Sequence, residues 1–159
     1  MTSGPPNAAP DGPLRPSDWR LGAWRSFLRA HASVVSELER DLLSDTGMPL
    51  GWYDVLVQLV EAPRRRLRMA ELADRVLLSR SGLTRLVDRL QAEGLVRREP
   101  SEDDARGTYT VMTEPGVARL RAASPAHLAS VRRHWLEHFS DDELRVLEGL
   151  LARIGVTEQ

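Results

Sequence analysis

Between Arg80 and Leu90 the chain interleaves two kinds of residue at helical spacing. Leu83, Leu86, Val87 and Leu90 fall at i, i+3, i+4 and i+7, so they form the inner face of a helix and leave Ser81, Thr84, Arg85, Asp88 and Arg89 outside. Such an outer face suits the major groove of double-stranded DNA, where Arg donates to guanine O6 and N7 and small hydroxyls meet other base edges or phosphates. Ser81, Thr84, Arg85 and Arg89 are the candidate contacts, with Arg80 aimed at a phosphate. Taken alone, the same face is equally a solvated one in which Asp88 pairs with Arg85 or Arg89, and the flanking elements have to decide. A second arrangement lies in a polar turn, where Asp104 precedes Arg106 by two residues and could hold its guanidinium extended. An Arg so held can enter a minor groove, whose narrow A·T-rich stretches concentrate negative potential. By spacing alone, this pair reads as a surface salt bridge worth under about 1 kcal/mol.

The elements needed to position these residues are legible on both sides. A short helix is expected over Met69 to Val76, then a break at Leu77 to Ser79, then the Arg-bearing helix to about Glu93, closed by Gly94 as its C-cap. Leu95 to Glu99 and Thr108 to Met112 have the composition of two strands joined by the polar turn 101–107. Two helices followed by a hairpin make a winged helix-turn-helix, whose parts set a recognition helix on duplex DNA. That context favours the groove-reading face over the solvated one.

Long amphipathic helices flank this unit. Pro16 and Ser17 look like the lead-in and N-cap of a first helix, Asp18 to Ser44, with Trp24, Phe27, Leu28, His31, Val34, Val35, Leu38 and Leu42 on its apolar stripe. After a turn at Gly47 to Pro49, a second helix carries Trp52, Val55, Leu56, Leu59 and Val60 and is stopped by Pro63. Thr113 and Pro115 open another long helix bearing Val117, Leu120, Leu128, Val131, Trp135 and Phe139, with a kink expected at Pro125. Ser140 to Glu143 fits a capping box that starts a last helix with Leu144, Leu147, Leu151 and Ile154 on one side. One small winged domain offers too little surface to bury all of these helices. A homodimer formed by the terminal helices resolves the excess.

Composition bounds the alternatives. At 159 residues the chain is one domain by length, and without cysteine it has no disulfide scaffold, zinc ribbon, thiol nucleophile or thiol sensor. No apolar run reaches the roughly 18 residues of a membrane span and the start lacks a signal-peptide pattern, so a soluble, cytoplasmic protein without a membrane partner is expected. The net charge of −1 hides an uneven distribution: all 22 basic residues are Arg, and Arg64 to Arg98 holds ten of them against four acids. A local field of that sign attracts phosphates whatever the total charge. Residues 1–16, with five of the ten prolines, read as a disordered tail. No glycine-rich phosphate cradle, metal motif of standard spacing or Ser/His/Asp arrangement appears, so an enzyme is not expected, nor a cofactor.

Glu71-Leu72-Ala73, Leu78 through Leu90, Gly94-Leu95-Val96-Arg97-Arg98, Asp104-Ala105-Arg106 and Met112-Thr113-Glu114-Pro115-Gly116 together resemble the MarR family of bacterial transcription regulators. The resemblance is strong from Glu71 to Gly116, and helix order extends it over about Asp18 to Ile154. It implies a mainly α protein, a winged helix-turn-helix whose N- and C-terminal helices form a dimerisation domain. Residues 17–62 and 114–159 would supply the dimerisation helices and 63–113 the DNA-binding unit. The implied function is that of a sequence-specific regulator on a pseudo-palindromic operator, usually a repressor released by a small organic effector. The family's wing motif of Asp, any residue, Arg falls on Asp104 and Arg106. Two departures are Ala105, where many relatives carry a second Arg, and Met112 in place of the usual Leu. Peroxide sensing in the family uses cysteine, which this chain lacks.

The resemblance also implies an effector pocket where the dimerisation helices meet the winged unit, and Trp24, His31, Trp52 and Tyr53 belong to helices near that junction. The competing reading makes the aromatics core and His31 a satisfied interface histidine. His127, His134 and His138 form a helical stripe, and the i, i+4 pair could bind one metal, as family members that sense zinc do with His and carboxylate clusters. Among Arg132, Arg133 and Glu137, however, these histidines read as polar surface or dimer contacts, and no metal is assigned. The alternative function is a ligand-independent architectural or partner-binding protein using the same winged unit.

Overall fold

Gly47, at φ 67°, ends the first long helix, α1 (Leu21–Thr46), by donating its N–H to the Leu43 carbonyl from the left-handed conformation that glycine adopts without strain. These coordinates are a computed structural model, and the residues it describes are 15–76, 80–100 and 107–155, with Arg80 and Ser81 described by their backbone alone. Of the expected tail, 1–14 lies outside the described residues, as do the break 77–79 and most of the wing turn, 101–106. The first helix starts three residues later than its sequence pattern suggests. Its N-cap is Arg20 rather than Ser17, because the Asp18 carboxylate accepts the Arg20 N–H (3.0 Å) and its guanidinium in a local turn just ahead of it.

Pro49 leads into α2 (Leu50–Glu61), and Glu39 of α1 accepts the Leu50 N–H at 2.7 Å, satisfying a donor at the start of α2. Arg119 donates to the Thr46 carbonyl at 2.6 Å, covering the end of α1 in the same way. Val55, Leu56 and Leu59 make α2 the central core helix, which ends ahead of Pro63 as expected, and Pro63 then opens a 3-10 turn, Pro63–Arg65.

A short strand missed from the sequence follows, β1 (Arg66–Arg68), and leads into α3 (Met69–Arg75), whose Glu71 accepts the Arg68 N–H at 2.9 Å. Next come α4 (Arg80–Ala92), β2 (Val96–Pro100) and β3 (Thr108–Met112). The sheet order is β1-β3-β2, all antiparallel, with Leu67 opposite Thr110 and Arg98 opposite the same Thr110 from the other side. Leu67, Val96 and Met112 are buried with Leu72 of α3 and Leu83, Val87 and Leu90 of α4, so the sheet closes the helix pair from one side. Gly94, at φ 72°, turns the chain out of α4 as the sequence suggests.

α5 (Glu114–His134) begins at the Thr113 cap, whose hydroxyl accepts the Gly116 N–H (3.1 Å) and donates to the Gly94 carbonyl (2.7 Å). Pro125 lies inside α5 without ending it, and α5 stops before Trp135 and Phe139, which flank a 3-10 turn at Leu136–His138 on its two sides. α1 lies against α5. Asp41 fastens the pair by accepting from Ser130 (2.8 Å), Arg133 (2.7 Å) and His134 (2.8 Å). α6 (Asp141–Gly155) starts with the expected capping box, Glu143 accepting from both the N–H and the hydroxyl of Ser140. Its Val146, Leu150, Leu151 and Ile154 are exposed, as are Trp24, Phe27, Leu28 and Val35 on the apolar stripe of α1. Among the described residues no helix is long and apolar enough to cross a membrane.

Candidate nucleic-acid interface

The division of α4 into two faces is as its periodicity predicts: Leu83, Val87 and Leu90 are fully buried, Leu86 is half-buried, and Thr84, Arg85, Asp88 and Arg89 are exposed. What the sequence left open was the partner of Asp88, the one acid of α4. It accepts from Arg98 Nη1 at 2.6 Å. Arg98 is opposite Thr110 in the ladder, and Thr110 is wholly buried on the side of the sheet that faces the helices, so the register itself delivers the guanidinium to α4. With Asp88 engaged in this way, Arg85 and Arg89 take no hydrogen bond or ion pair among the described residues. Two unpaired guanidinia therefore stand one helical turn apart on the exposed face.

Arg80 lies in the first turn of α4, followed by Ser81, so both belong to the end of the helix that leads toward Thr84 and Arg85. Asp104 and Arg106 lie outside the described residues, although β2 and β3, which carry their turn, are in place. A cleft of about 480 Å³ runs beside α4, bordered by Arg85, Arg89, Leu86, Pro49, Gly51 and Trp52. α2 passes so close there that a Cβ on Gly51 would sit 3.1 Å from Leu86 Cδ1.

The outer face of the sheet carries a feature that the sequence reading missed. The Tyr109 ring lies under Arg66 (4.5 Å to the guanidinium carbon) and Arg68 (5.4 Å), whose Nε also bonds the Tyr109 hydroxyl at 3.3 Å. The signal was available in the alternation of Arg66-Leu67-Arg68, but three residues are too few for a periodicity to be recognised.

The four aromatic and imidazole candidates for a ligand pocket are not brought together. Trp24 and His31 lie on the exposed stripe of α1 on either side of Phe27, 6.0 Å and 6.2 Å from its ring. Trp52 borders the cleft beside α4. Tyr53 lines a separate cleft of about 350 Å³ between α2, α3 and α5, together with Asp54, Gln58, Arg75 and His127. The histidine stripe is likewise split. His127 stacks on Tyr53 at 4.2 Å, and burial holds its pKa below the ordinary histidine value. His134 joins Asp41, while His138 sits in the 3-10 turn. Glu37, Asp41 and His134 approach one another closely enough to share a cation, but Arg40 pairs with Glu37 and Arg133 with Asp41. These guanidinia neutralise the carboxylates, so the group acts as a clamp between α1 and α5. Arg133 first, then Ser130 and His134, hold the Asp41 carboxyl well below the usual range.

Comparison with known proteins places this geometry. Residues 46–107 match the model of the MarR family. The repressor YetL of Bacillus subtilis is 31% identical over 114 residues, which span 69% of this chain and 68% of YetL. Two solved structures from Streptomyces coelicolor are each 35% identical. AbsC, a MarR family transcriptional regulator, superposes with a TM-score of 0.80 over 89% of this chain and 95% of its own. Sco3205, a regulator of the same family solved in complex with DNA, superposes with a TM-score of 0.83 over 91% of each chain. A winged helix-turn-helix between long terminal helices, with this degree of identity over most of its length, belongs to the MarR family of transcriptional regulators and not to a family of enzymes.

Proposed function

We propose that this protein is a homodimeric, sequence-specific DNA-binding repressor whose two α4 helices enter successive major grooves of a pseudo-palindromic operator. The observation that carries the reading is the Asp88–Arg98 pair, which leaves Arg85 and Arg89 without a partner among the described residues and exposed for guanine edges or phosphates. Ser81 and Thr84 are assigned to base edges or phosphates, Arg80 to a phosphate, and Arg106, which Asp104 would hold extended, to the minor groove beside the wing. The DNA complex of Sco3205 supports DNA binding, and the repressor designation of YetL supports repression.

The exposed apolar residues of α1 and α6 supply the dimer surface, which assigns 17–62 and 114–159 to dimerisation and 63–113 to DNA reading. Two-fold symmetry would then set the recognition helices about one helical turn, roughly 34–36 Å, apart. Release by a small organic effector follows from differential binding: a molecule that prefers a dimer with the wrong head separation lowers operator affinity by that preference. The test combines sedimentation of the purified chain with selection of genomic fragments. A dimer that enriches one inverted repeat, and binds it far above a scrambled duplex, is expected. A monomer that binds neither overturns the proposal.

A further inference from the structure

The outer face of the sheet carries a surplus of positive charge that α4 does not use. Directly opposed residues of an antiparallel ladder share a face. Arg68 is opposite Tyr109 and Tyr109 opposite Glu99, while Arg66 and Arg97 lie on either side of Val111, so all of these belong to one face. Thr110 alternates to the other side and is wholly buried against the helices. Glu99 is the one acid of the three strands. Arg97 Nε donates to it at 2.9 Å, and Arg66 Nη1 stands 4.0 Å from its other oxygen. Three guanidinia therefore share one carboxylate. Two of the three are seated on the Tyr109 ring, the Arg66 guanidinium carbon 4.5 Å and that of Arg68 5.4 Å from its centre. A ring attracts a guanidinium through its flat face, which orders the side chain without consuming the in-plane N–H donors that match phosphate oxygens.

Chain direction sets which end of this face lies near DNA. β2 runs into the wing turn after Pro100 and β3 leaves it at Thr108, so Tyr109 stands at the wing end of the sheet. Arg68, opposite Tyr109, is the last residue of β1, where α3 begins, and Arg66 stands one step further from the wing. Leu67, Val96 and Met112 on the inner face pack with Leu72 of α3 and Leu83, Val87 and Leu90 of α4, so the outer face turns away from α4. With α4 in a major groove and the wing in the neighbouring minor groove, the side of the sheet away from α4 faces the duplex beyond the wing. What that stretch offers, whatever its sequence, is a dense row of backbone phosphates.

We propose that Arg66 and Arg68, seated on Tyr109, bind backbone phosphates of the duplex beyond the wing, an inference that rests on the DNA-reading role of α4. Fluorescence anisotropy of the full chain tests it with two duplexes: the inverted repeat ending at the minor groove of the wing, and the same repeat extended on one side by about ten scrambled base pairs, roughly one helical turn. The longer duplex should bind more tightly. Two phosphates, each adding about 0.9 to the slope of log affinity against log salt, make that flank gain about tenfold larger at 50 than at 200 mM salt. Arg66→Gln and Arg68→Gln should each remove about half of the added slope, and the double variant all of it. Tyr109→Phe, which keeps the ring, should hold the gain, whereas Tyr109→Leu should reduce it with no change of charge. Arg85→Ala should weaken both duplexes by the same factor and leave the gain intact. A wild type without flank gain, or a gain unchanged in both Gln variants, which would leave the patch to an acidic protein partner, overturns the inference while the role of α4 stands. A chain that binds neither duplex overturns both.

Discussion

Replacing Arg85 by alanine removes a guanidinium that no described carboxylate holds, so its effects on folding and on DNA separate cleanly. On the folded chain the change costs little. The side chain is exposed, makes no bond among the described residues, and gives way to a better helix former, so stability should stay within about 0.5 kcal/mol. On DNA, loss of a bidentate guanine contact is worth about 1–3 kcal/mol, which is roughly a 5- to 150-fold weakening on the operator. Loss of a phosphate contact instead weakens all duplexes alike and lowers the slope of log affinity against log salt by about one unit. Fluorescence anisotropy with a selected operator and a scrambled duplex, at about 50 and 200 mM salt, distinguishes the two. Asp88→Asn is the companion variant. It removes the one acid of α4 and frees Arg98, so non-specific affinity should rise and depend more steeply on salt. Equal losses for Arg85→Ala on operator and scrambled DNA would refute base reading by this residue. A change of more than about 1 kcal/mol in unfolding free energy would refute the claim that it is unpaired.

The parts of this molecule that could be read in advance are those set by spacing within one element. The inner and outer faces of α4, the turn at Gly94, the Thr113 start of α5 and the Ser140–Glu143 box each depend on neighbours within about four residues, and helical geometry fixes those. What escaped depends on pairing between elements. Within a helix, Asp88 has Arg85 at i−3 and Arg89 at i+1 as apparent partners. Only the antiparallel register that sets Arg98 opposite Thr110 supplies the partner it takes. Tyr53 and His127 are 74 positions apart, and no periodicity links them. The apolar stripe of α1 was visible, but Trp24 and Phe27 do not enter the core of the chain that carries them. Hydrophobic pattern shows that a face must be covered without showing what covers it.

Three further outcomes test the framework that positions α4. A Cβ on Gly116 would come within 2.2 Å of the Leu95 carbonyl oxygen and 3.1 Å of its carbon, so Gly116→Ala must push α5 from the turn after α4, and urea unfolding should show a loss of at least about 2 kcal/mol. A loss under about 0.5 kcal/mol would mean that this junction is not tightly packed. Thr113→Ala removes the cap that holds Gly116 N–H and should cost about 0.5–2 kcal/mol, while Thr113→Ser, which keeps the oxygen, should cost much less. The clamp at Asp41 predicts a pH dependence of definite sign. Its carboxyl is held below the ordinary 3.8 in the folded chain, chiefly by Arg133, then by Ser130 and His134. Below 3.8 the unfolded chain therefore takes up a proton that the folded chain still refuses, and the stabilisation, complete at higher pH, is lost as pH falls toward the folded value. Asp41→Asn cannot ionise and lacks that contribution throughout. Urea unfolding of both proteins in steps from about pH 6 downward should show the wild type ahead at the start and the gap closing below 3.8. A gap that stays constant over the whole acid limb would mean that the Arg133, Ser130 and His134 contacts do not favour the charged carboxylate, and that the join between α1 and α5 rests on their apolar contacts instead.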